Sequence, residues 1–303
     1  MIARWRQSTE NFKGSVILLV ALMAFAAMTV LIKVAGKRLP LVEILIVRQL
    51  VMQAMLFPLA RTSLAQMLRT PHPFLQVFRG LLQLGAMTAS FAAVIHLSLA
   101  QAMTISFSYA IFVTLGAGLF LKESIDRERW IATVVGLLGV AVMLRPNGDS
   151  SIGWSIVAVL GAIFAAASAL SLRYRPDARR TDTVLTYQAL VLVSALIVPT
   201  ALSWVAPTPL EWLVLLSVGL TGTMGQWMLT VAYQRGEAAA LAPLDFVRLL
   251  LTTLCGFLFF SETPDPPVLV GASIIFGAMI YTFRANARQR KRAAPQVEKL
   301  STT

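Results

Sequence analysis

Residues 14–36 read GSVILLVALMAFAAMTVLIKVAG, an apolar run with a single charge at Lys33. A helix needs about 20 apolar residues to cross the hydrocarbon core of a membrane. The run follows a basic N-terminal segment, as the core of a secretory signal peptide does, but it is longer than such a core and further runs follow. It therefore predicts a retained first transmembrane helix.

Nine more runs of this kind follow. The chain is 57% hydrophobic and 13% charged, with a mean hydropathy of +0.74, so it has too few charged residues to cover a water-soluble surface. The runs lack strand-like alternation, which favours an all-α membrane protein. The ten predicted spans are 14–36, 40–60, 74–96, 102–121, 130–145, 153–172, 183–204, 210–233, 239–260 and 267–284.

Basic residues are unevenly divided between the two sets of loops. With the N-terminus in the cytoplasm, cytoplasmic segments hold 19 of the 26 lysines and arginines, and the opposite loops hold only Lys37, Arg38 and Arg145. This bias predicts that both termini are cytoplasmic. It also explains the net charge of +12 without a nucleic-acid partner. The basic tail over residues 285–303 is predicted to be a disordered segment beside the lipid surface.

An internal repeat divides the spans into two groups of five. A shift of 139 residues aligns Gly80 with Gly219, Ala100 with Ala239, Phe107 with Phe246 and Glu123 with Glu262. Because five is an odd number, the two groups must cross the membrane in opposite senses, which defines an inverted repeat. The predicted organisation is a cytoplasmic N-terminus (1–13), a first repeat (14–145), a second repeat (153–284) and the tail (285–303).

The arrangement resembles a known family. The ten helices, the two five-helix halves, Arg48 early in the second helix, and fourth and ninth helices that end in Lys122-Glu123 and Ser261-Glu262 are similar to the EamA family of the drug/metabolite transporter superfamily. The segment 242–248, APLDFVR, resembles a subgroup with S-adenosylmethionine carriers, riboflavin carriers and opine-metallophore exporters. Tyr109 and Arg248 stand where many family members carry proline.

The resemblance implies a secondary transporter in a bacterial cytoplasmic (inner) membrane. Its substrate would be a small polar or zwitterionic metabolite, moved by alternating access between the two repeats. One expectation is export of an amino-acid-derived metabolite or metallophore. The alternative is import of S-adenosylmethionine or riboflavin.

Charged and hydroxyl-bearing residues inside the spans are the candidate substrate-binding groups. Asp245 and Arg248 are three residues apart on the ninth helix, so they share a face. Either they form a structural ion pair, or Arg248 binds a carboxylate or phosphate of the substrate while Asp245 orients it or binds an amine. Their repeat equivalents, Ser106 and Tyr109, are expected to face the same site.

Arg48 is a further candidate, about eight residues into the second helix. It is interpreted either as a substrate contact or as a structural residue that pairs with Glu43 or snorkels. Lys33 and Arg79 lie near helix ends and are expected to snorkel. Four more side chains are candidates to line the same cavity: Gln83, Gln188, Gln226 and Trp227.

The sequence predicts no enzyme activity, metal site or cofactor. It lacks the motifs G-x-x-x-x-G-K-[ST], H-E-x-x-H and G-x-S-x-G. His72 and His96 fall toward opposite sides of the membrane, and Cys255 is the only cysteine. An intramembrane enzyme remains the alternative from another class. The expected partners are a small-molecule substrate and the lipid bilayer, and a coupling proton or cation and a homodimer are left open.

Overall fold

The structure is a computed structural model that describes residues 2–59, 66, 68–120, 127–144, 151–174, 181–235, 244–263, 266–278 and 280–281. Within this part of the chain, ten helices correspond to the ten predicted spans, and no strand occurs. The helices are α1 (Ile2–Ala35), α2 (Leu41–Leu59), α3 (Pro73–His96), α4 (Leu99–Phe107 and Tyr109–Phe120), α5 (Arg127–Leu144), α6 (Ser151–Tyr174), α7 (Thr181–Ser203), α8 (Pro209–Arg235), α9 (Asp245–Phe260) and α10 (Pro266–Ala278).

The helices have the length and composition of membrane spans. Six of them, in the described residues, are long and apolar enough to cross a bilayer, and three shorter apolar helices cover Thr133–Val142, Val247–Phe260 and Pro266–Ala278. Large apolar side chains such as Leu202, Leu213 and Phe259 are mostly exposed on the protein surface. Such a surface requires a lipid environment. The prediction of an all-α, multi-pass membrane protein is therefore confirmed.

Two predicted helices differ from the observed ones. The fourth span was expected to be continuous over 102–121, but α4 is interrupted at Ser108. There the backbone tightens, because the N–H groups of Ser108 and Ile111 bond to carbonyls three residues back, at 3.0 Å each. The ninth helix was expected to begin near Ala239, whereas α9 begins at Asp245. Residues 236–243 lie outside the described part of the chain.

The most extensive contacts between helices follow the symmetry of an inverted repeat. If each helix of the first repeat corresponds to the one five places later, the contact of α1 with α8 corresponds to that of α6 with α3. In the same way, α2 with α8 corresponds to α7 with α3, and α1 with α9 corresponds to α6 with α4. The pairs α2 with α7 and α4 with α9 correspond to themselves. All of these contacts join one repeat to the other.

Two glycines make the equivalent contacts close. A Cβ atom on Gly219 of α8 would lie 2.5 Å from the Cβ of Val51 on α2. A Cβ on Gly80 of α3 would lie 2.7 Å from a methyl group of Val191 on α7. Gly80 and Gly219 are the pair that the 139-residue shift aligns. Small residues allow membrane helices to approach closely, and each repeat has a glycine that makes such a close contact at the equivalent position.

Candidate functional site

Arg48 lies inside the protein, where helices of both repeats meet. Its side chain on α2 is only 8% exposed, and its Nη1 donates to the sulfur of Met87 on α3 at 3.7 Å. The guanidinium carbon is 5.9 Å from the ring centre of Phe91, one turn further along α3. Within the described residues no carboxylate pairs with Arg48, and its Nε has no hydrogen-bond partner.

Neither structural arrangement considered for Arg48 is present among the described residues. Glu43, the expected partner, instead accepts the backbone N–H of Val205 at 3.3 Å. Snorkelling requires the charged end to reach the polar boundary of the membrane, but the guanidinium is enclosed by α3 and α8. Arg48 is therefore a buried cation without a protein anion in the described structure.

A glycine of α8 leaves room for this guanidinium. A Cβ on Gly222 would lie 3.3 Å from the Nε of Arg48 and 2.7 Å from the sulfur of Met28. Gly225, one turn further, gives the same kind of room to Phe25, since its Cβ would lie 3.2 Å from the ring. The glycines of α8 thus allow α1 and the Arg48 side chain to come close to the α8 backbone.

Arg248 occupies a neighbouring position on this α1–α8 contact. Its guanidinium carbon is 5.0 Å from the ring centre of Phe25, a geometry that allows a cation–π interaction. Phe25 is one turn from Met28, which lies beside Gly222. Asp245 is the first residue of α9, and its side chain lies outside the described residues. Whether Asp245 pairs with Arg248 stays a prediction.

Ser106 and Tyr109 flank the interruption of α4. The Ser106 hydroxyl donates to the carbonyl of Met103 at 2.7 Å, within its own helix. Tyr109 begins the second segment of α4, and its side chain is 38% exposed. That these two residues face the arginines stays a prediction.

The three glutamines and the tryptophan proposed to line the site lie in different surroundings. Gln188 on α7 donates to the sulfur of Met87 at 3.7 Å, so it lies next to Arg48. Gln83 accepts a hydrogen bond from Ser168 at 3.3 Å between α3 and α6. Gln226 is exposed, and Trp227 is 58% exposed. That these two side chains line the same cavity stays a prediction.

A second polar cluster lies at one end of the protein, the end that contains the loop of residues 36–40. Lys33 near the end of α1 forms an ion pair with Glu262, just after α9, and donates to the carbonyl of Leu97 at 2.6 Å. Glu262 also accepts the N–H of Leu99 at 2.7 Å. Lys33 is bound in the protein, so the snorkelling prediction for it is wrong.

Further contacts between the repeats surround this end. Arg38 forms an ion pair with Glu211 at the start of α8, and this hydrogen bond raises the pKa of the guanidinium above its ordinary value. His96 stacks on Trp154 with a centroid distance of 3.7 Å. We call these contacts, together with Lys33 and Glu262, the end cluster.

Arg79 joins the repeats nearer the opposite end. It is 3% exposed, and its Nε donates to the hydroxyl of Ser171 on α6 at 3.1 Å. A second guanidinium nitrogen donates to the carbonyl of the same serine. Arg79 is thus a buried structural contact, and the prediction that it snorkels is wrong.

Sequence reasoning missed the apolar residues around the arginines. Met87, Phe91 and Phe25 look like ordinary packing residues, since nothing in an apolar helix distinguishes a side chain that contacts a cation. The three-residue spacing of Gly219, Gly222 and Gly225 on α8 was the available sequence signal for a close approach.

The sequence of this chain is similar to those of several bacterial transporters over most of its length. The S-adenosylmethionine uptake transporter of Rickettsia bellii is 29% identical over 87% of this chain and 90% of its own length. The riboflavin transporter of Rhizobium johnstonii is 32% identical, with 78% of each chain covered. The pseudopaline exporter CntI of Pseudomonas aeruginosa is 30% identical over 88% of this chain and 94% of its own length.

The fold also matches a solved structure. A crystal structure with 18% sequence identity superimposes with a TM-score of 0.63 and covers 91% of this chain and 98% of the other.

The EamA-like transporter family model matches the chain twice, over residues 12–145 and 152–284. The family and the named relatives are transporters, which excludes the intramembrane enzyme. This chain is a multi-pass membrane protein of the EamA-like transporter family.

Proposed function

We propose that this protein is a secondary carrier for a small metabolite with a carboxylate group, in the inner membrane of a bacterium. The observation that carries the proposal is the buried guanidinium of Arg48 between the two repeats, which pairs with no carboxylate among the described residues. An arginine at the centre of a membrane costs about 2.5–3.5 kcal/mol on insertion scales. A cation kept at such a cost, with no anion beside it in the described part of the chain, suits an anion that arrives with the substrate.

Alternating access supplies the mechanism. The substrate would bind near Arg48 and Arg248, between the repeats, while one end of the protein is closed and the other is open. The end cluster consists of contacts between the repeats, so opening that end requires Lys33 to separate from Glu262 and Arg38 from Glu211. Closure of the opposite end would then complete the cycle.

The chemistry of Arg48 favours some substrates of the relatives over others. S-adenosylmethionine has an amino-acid carboxylate, which can accept two parallel hydrogen bonds from an arginine. Riboflavin has neither a carboxylate nor a phosphate, so it would leave Arg48 unpaired. The proposal therefore favours an amino-acid-derived substrate. Both import and export fit, because the named relatives include an uptake transporter and an exporter.

The test is a metabolite comparison of cells and medium. Bacteria that express the wild-type protein, Arg48→Gln or no protein are compared, and Arg69→Gln, which changes an exposed arginine, is the matched control. We expect at least one carboxylate-bearing metabolite to redistribute with the wild type and with Arg69→Gln, but not with Arg48→Gln at equal membrane abundance. If no metabolite redistributes with the wild type, the carrier proposal is wrong.

A further inference from the structure

Two hydrogen-bond donors from different repeats point at one sulfur atom. The Nη1 of Arg48 on α2 and the Nε2 of Gln188 on α7 each lie 3.7 Å from the Sδ of Met87. A thioether sulfur is a weak acceptor. The charged donor and the neutral donor therefore share a partner that satisfies neither of them well.

The surrounding positions strengthen this observation. Gln188 is aligned with Gln49 by the 139-residue shift, so the repeats place a glutamine at equivalent points of α2 and α7, which contact each other. Gln49 is completely buried, and neither its amide oxygen nor its amide nitrogen has a hydrogen-bond partner. Buried polar groups are rarely left unbonded, and Gln49, the residue that follows Arg48 on α2, has two such atoms.

We propose that Arg48 and Gln188 form the subsite for the carboxylate of the transported molecule, and that the side chain of Met87 occupies this subsite until the substrate displaces it. The inference rests on the proposed carrier function and names the anchor of its substrate. A methionine side chain suits this role because it is flexible and adapts to different shapes. One guanidinium and one neutral amide balance a singly charged carboxylate better than a doubly charged phosphate.

The position of the two donors gives the subsite a mechanical role. Arg48 belongs to the first repeat and Gln188 to the second, so a carboxylate bound to both joins the repeats. The substrate then favours the arrangement in which α2 and α7 hold these donors together. A ligand shifts such an equilibrium only through its different affinity for the two states.

The subsite can be tested without knowledge of the substrate. In a Cys255→Ser background, Met87→Cys puts a thiol on the same face of α3, one bond closer to the backbone than the sulfur of Met87. The purified protein in detergent is treated with two methanethiosulfonate reagents, one bearing a sulfonate and the other a trimethylammonium group. The measured quantity is the ratio of their rate constants, because any effect of Arg48 on the pKa of the thiol changes both rates equally.

We expect Arg48→Gln to lower the ratio of anionic to cationic reagent at position 87 by about tenfold or more, since one nearby charge is removed from a low-dielectric site. Arg79→Gln is the matched control: it removes a buried arginine from α3 and should leave the ratio unchanged. Gln188→Leu should slow the anionic reagent alone. An unchanged ratio in Arg48→Gln, an equal fall in Arg79→Gln, or a thiol that reacts with neither reagent would overturn the proposal.

Met87→Leu separates the subsite from a purely structural contact. Leucine preserves most of the volume but removes the sulfur acceptor. If Met87 only fills the subsite, Met87→Leu should keep normal membrane abundance and a normal melting temperature, whereas a required structural acceptor would lower both. If a metabolite redistributes but the reagent ratio does not depend on Arg48, the subsite proposal is wrong and the carrier proposal is unaffected. If the reagent ratio depends on Arg48 but no metabolite redistributes, the carrier proposal is wrong and Arg48 belongs to an anion-binding site without a transport role.

Discussion

Lys33 and Glu262 form an ion pair between the two repeats, although 229 positions separate them in the chain. Ser261, in the left-handed region with φ of 54°, ends α9 and turns the chain so that Glu262 lies beside the start of α4. There Glu262 accepts the N–H of Leu99 while Lys33 donates to the carbonyl of Leu97. One ion pair thus connects α1, the α3–α4 turn and the end of α9.

The first prediction concerns this pair. Lys33→Met should destabilise the protein more than the double variant Lys33→Met/Glu262→Gln, because the single change leaves a partly buried carboxylate without its cation. We expect a coupling free energy of about 1–3 kcal/mol from thermal unfolding of the four proteins in detergent. Additive effects of the two substitutions would show that the pair does not act as a unit.

The second prediction concerns the room beside Arg48. Gly222→Ala should impair transport, because the new methyl group would lie 2.7 Å from the sulfur of Met28 and 3.3 Å from the Nε of Arg48, so these side chains would have to move. Gly153→Ala is a matched control, since a Cβ there meets no atom within 4 Å. The measurement is uptake or efflux of the redistributed metabolite at equal membrane abundance. Normal transport by Gly222→Ala would show that the guanidinium can move without loss of function.

The third prediction concerns Arg248 and Asp245. Arg248→Ala should abolish transport while membrane abundance stays near normal, and Arg248→Lys should also be poor because an ammonium group lacks the planar fork of arginine. The structural ion-pair hypothesis gives a different result. In that case Arg248→Ala would fail to accumulate, and the double variant Asp245→Ala/Arg248→Ala would restore the protein.

The fourth prediction concerns Tyr109, the repeat equivalent of Arg248. Tyr109→Phe should change the apparent substrate affinity if the hydroxyl contacts the substrate, and Tyr109→Ala should have a larger effect because it also removes the aromatic ring. Transport kinetics at matched abundance measure both. A silent Tyr109→Phe, together with a Tyr109→Ala that acts only through abundance, would remove Tyr109 from the site.

The fifth prediction concerns orientation in the membrane. Both termini and the loop between α6 and α7 should be cytoplasmic, since 19 of the 26 basic residues then lie on that side. A cysteine introduced into the loop of the Cys255→Ser protein should resist an impermeant thiol reagent in intact cells and react after the cells are opened. Reaction in intact cells would reverse the assigned orientation.

Sequence reasoning was most successful where the signal is periodic or repeated. The apolar runs predicted the helices, because the bilayer imposes a length on each span. The shift that aligns Gly80 with Gly219 predicted an inverted repeat, and these glycines make equivalent close contacts in the structure. Arg48 could be selected because a charge within an apolar span needs an explanation.

The remaining features depend on tertiary structure. The partner of Lys33 could not be predicted, because a lysine near a helix end has the same local sequence whether it reaches lipid headgroups or a distant glutamate. The contact of Gln188 with Met87 was likewise hidden, since a methionine in a membrane helix is ordinarily a packing residue. The interruption at Ser108 has no proline or glycine next to it and gave no signal.

The dominance of contacts between the repeats has a consequence for the origin of the fold. A single five-helix unit would leave the surfaces that α1, α2 and α3 use for α8, α7 and α6 without a protein partner. A second copy inserted upside down would cover them, because each contact has a counterpart with the roles exchanged. The ancestral gene product can therefore be pictured as an antiparallel pair of identical small proteins. The two repeats of the present chain differ at the arginine of α2, because the counterpart of Arg48 at position 187 is a tyrosine.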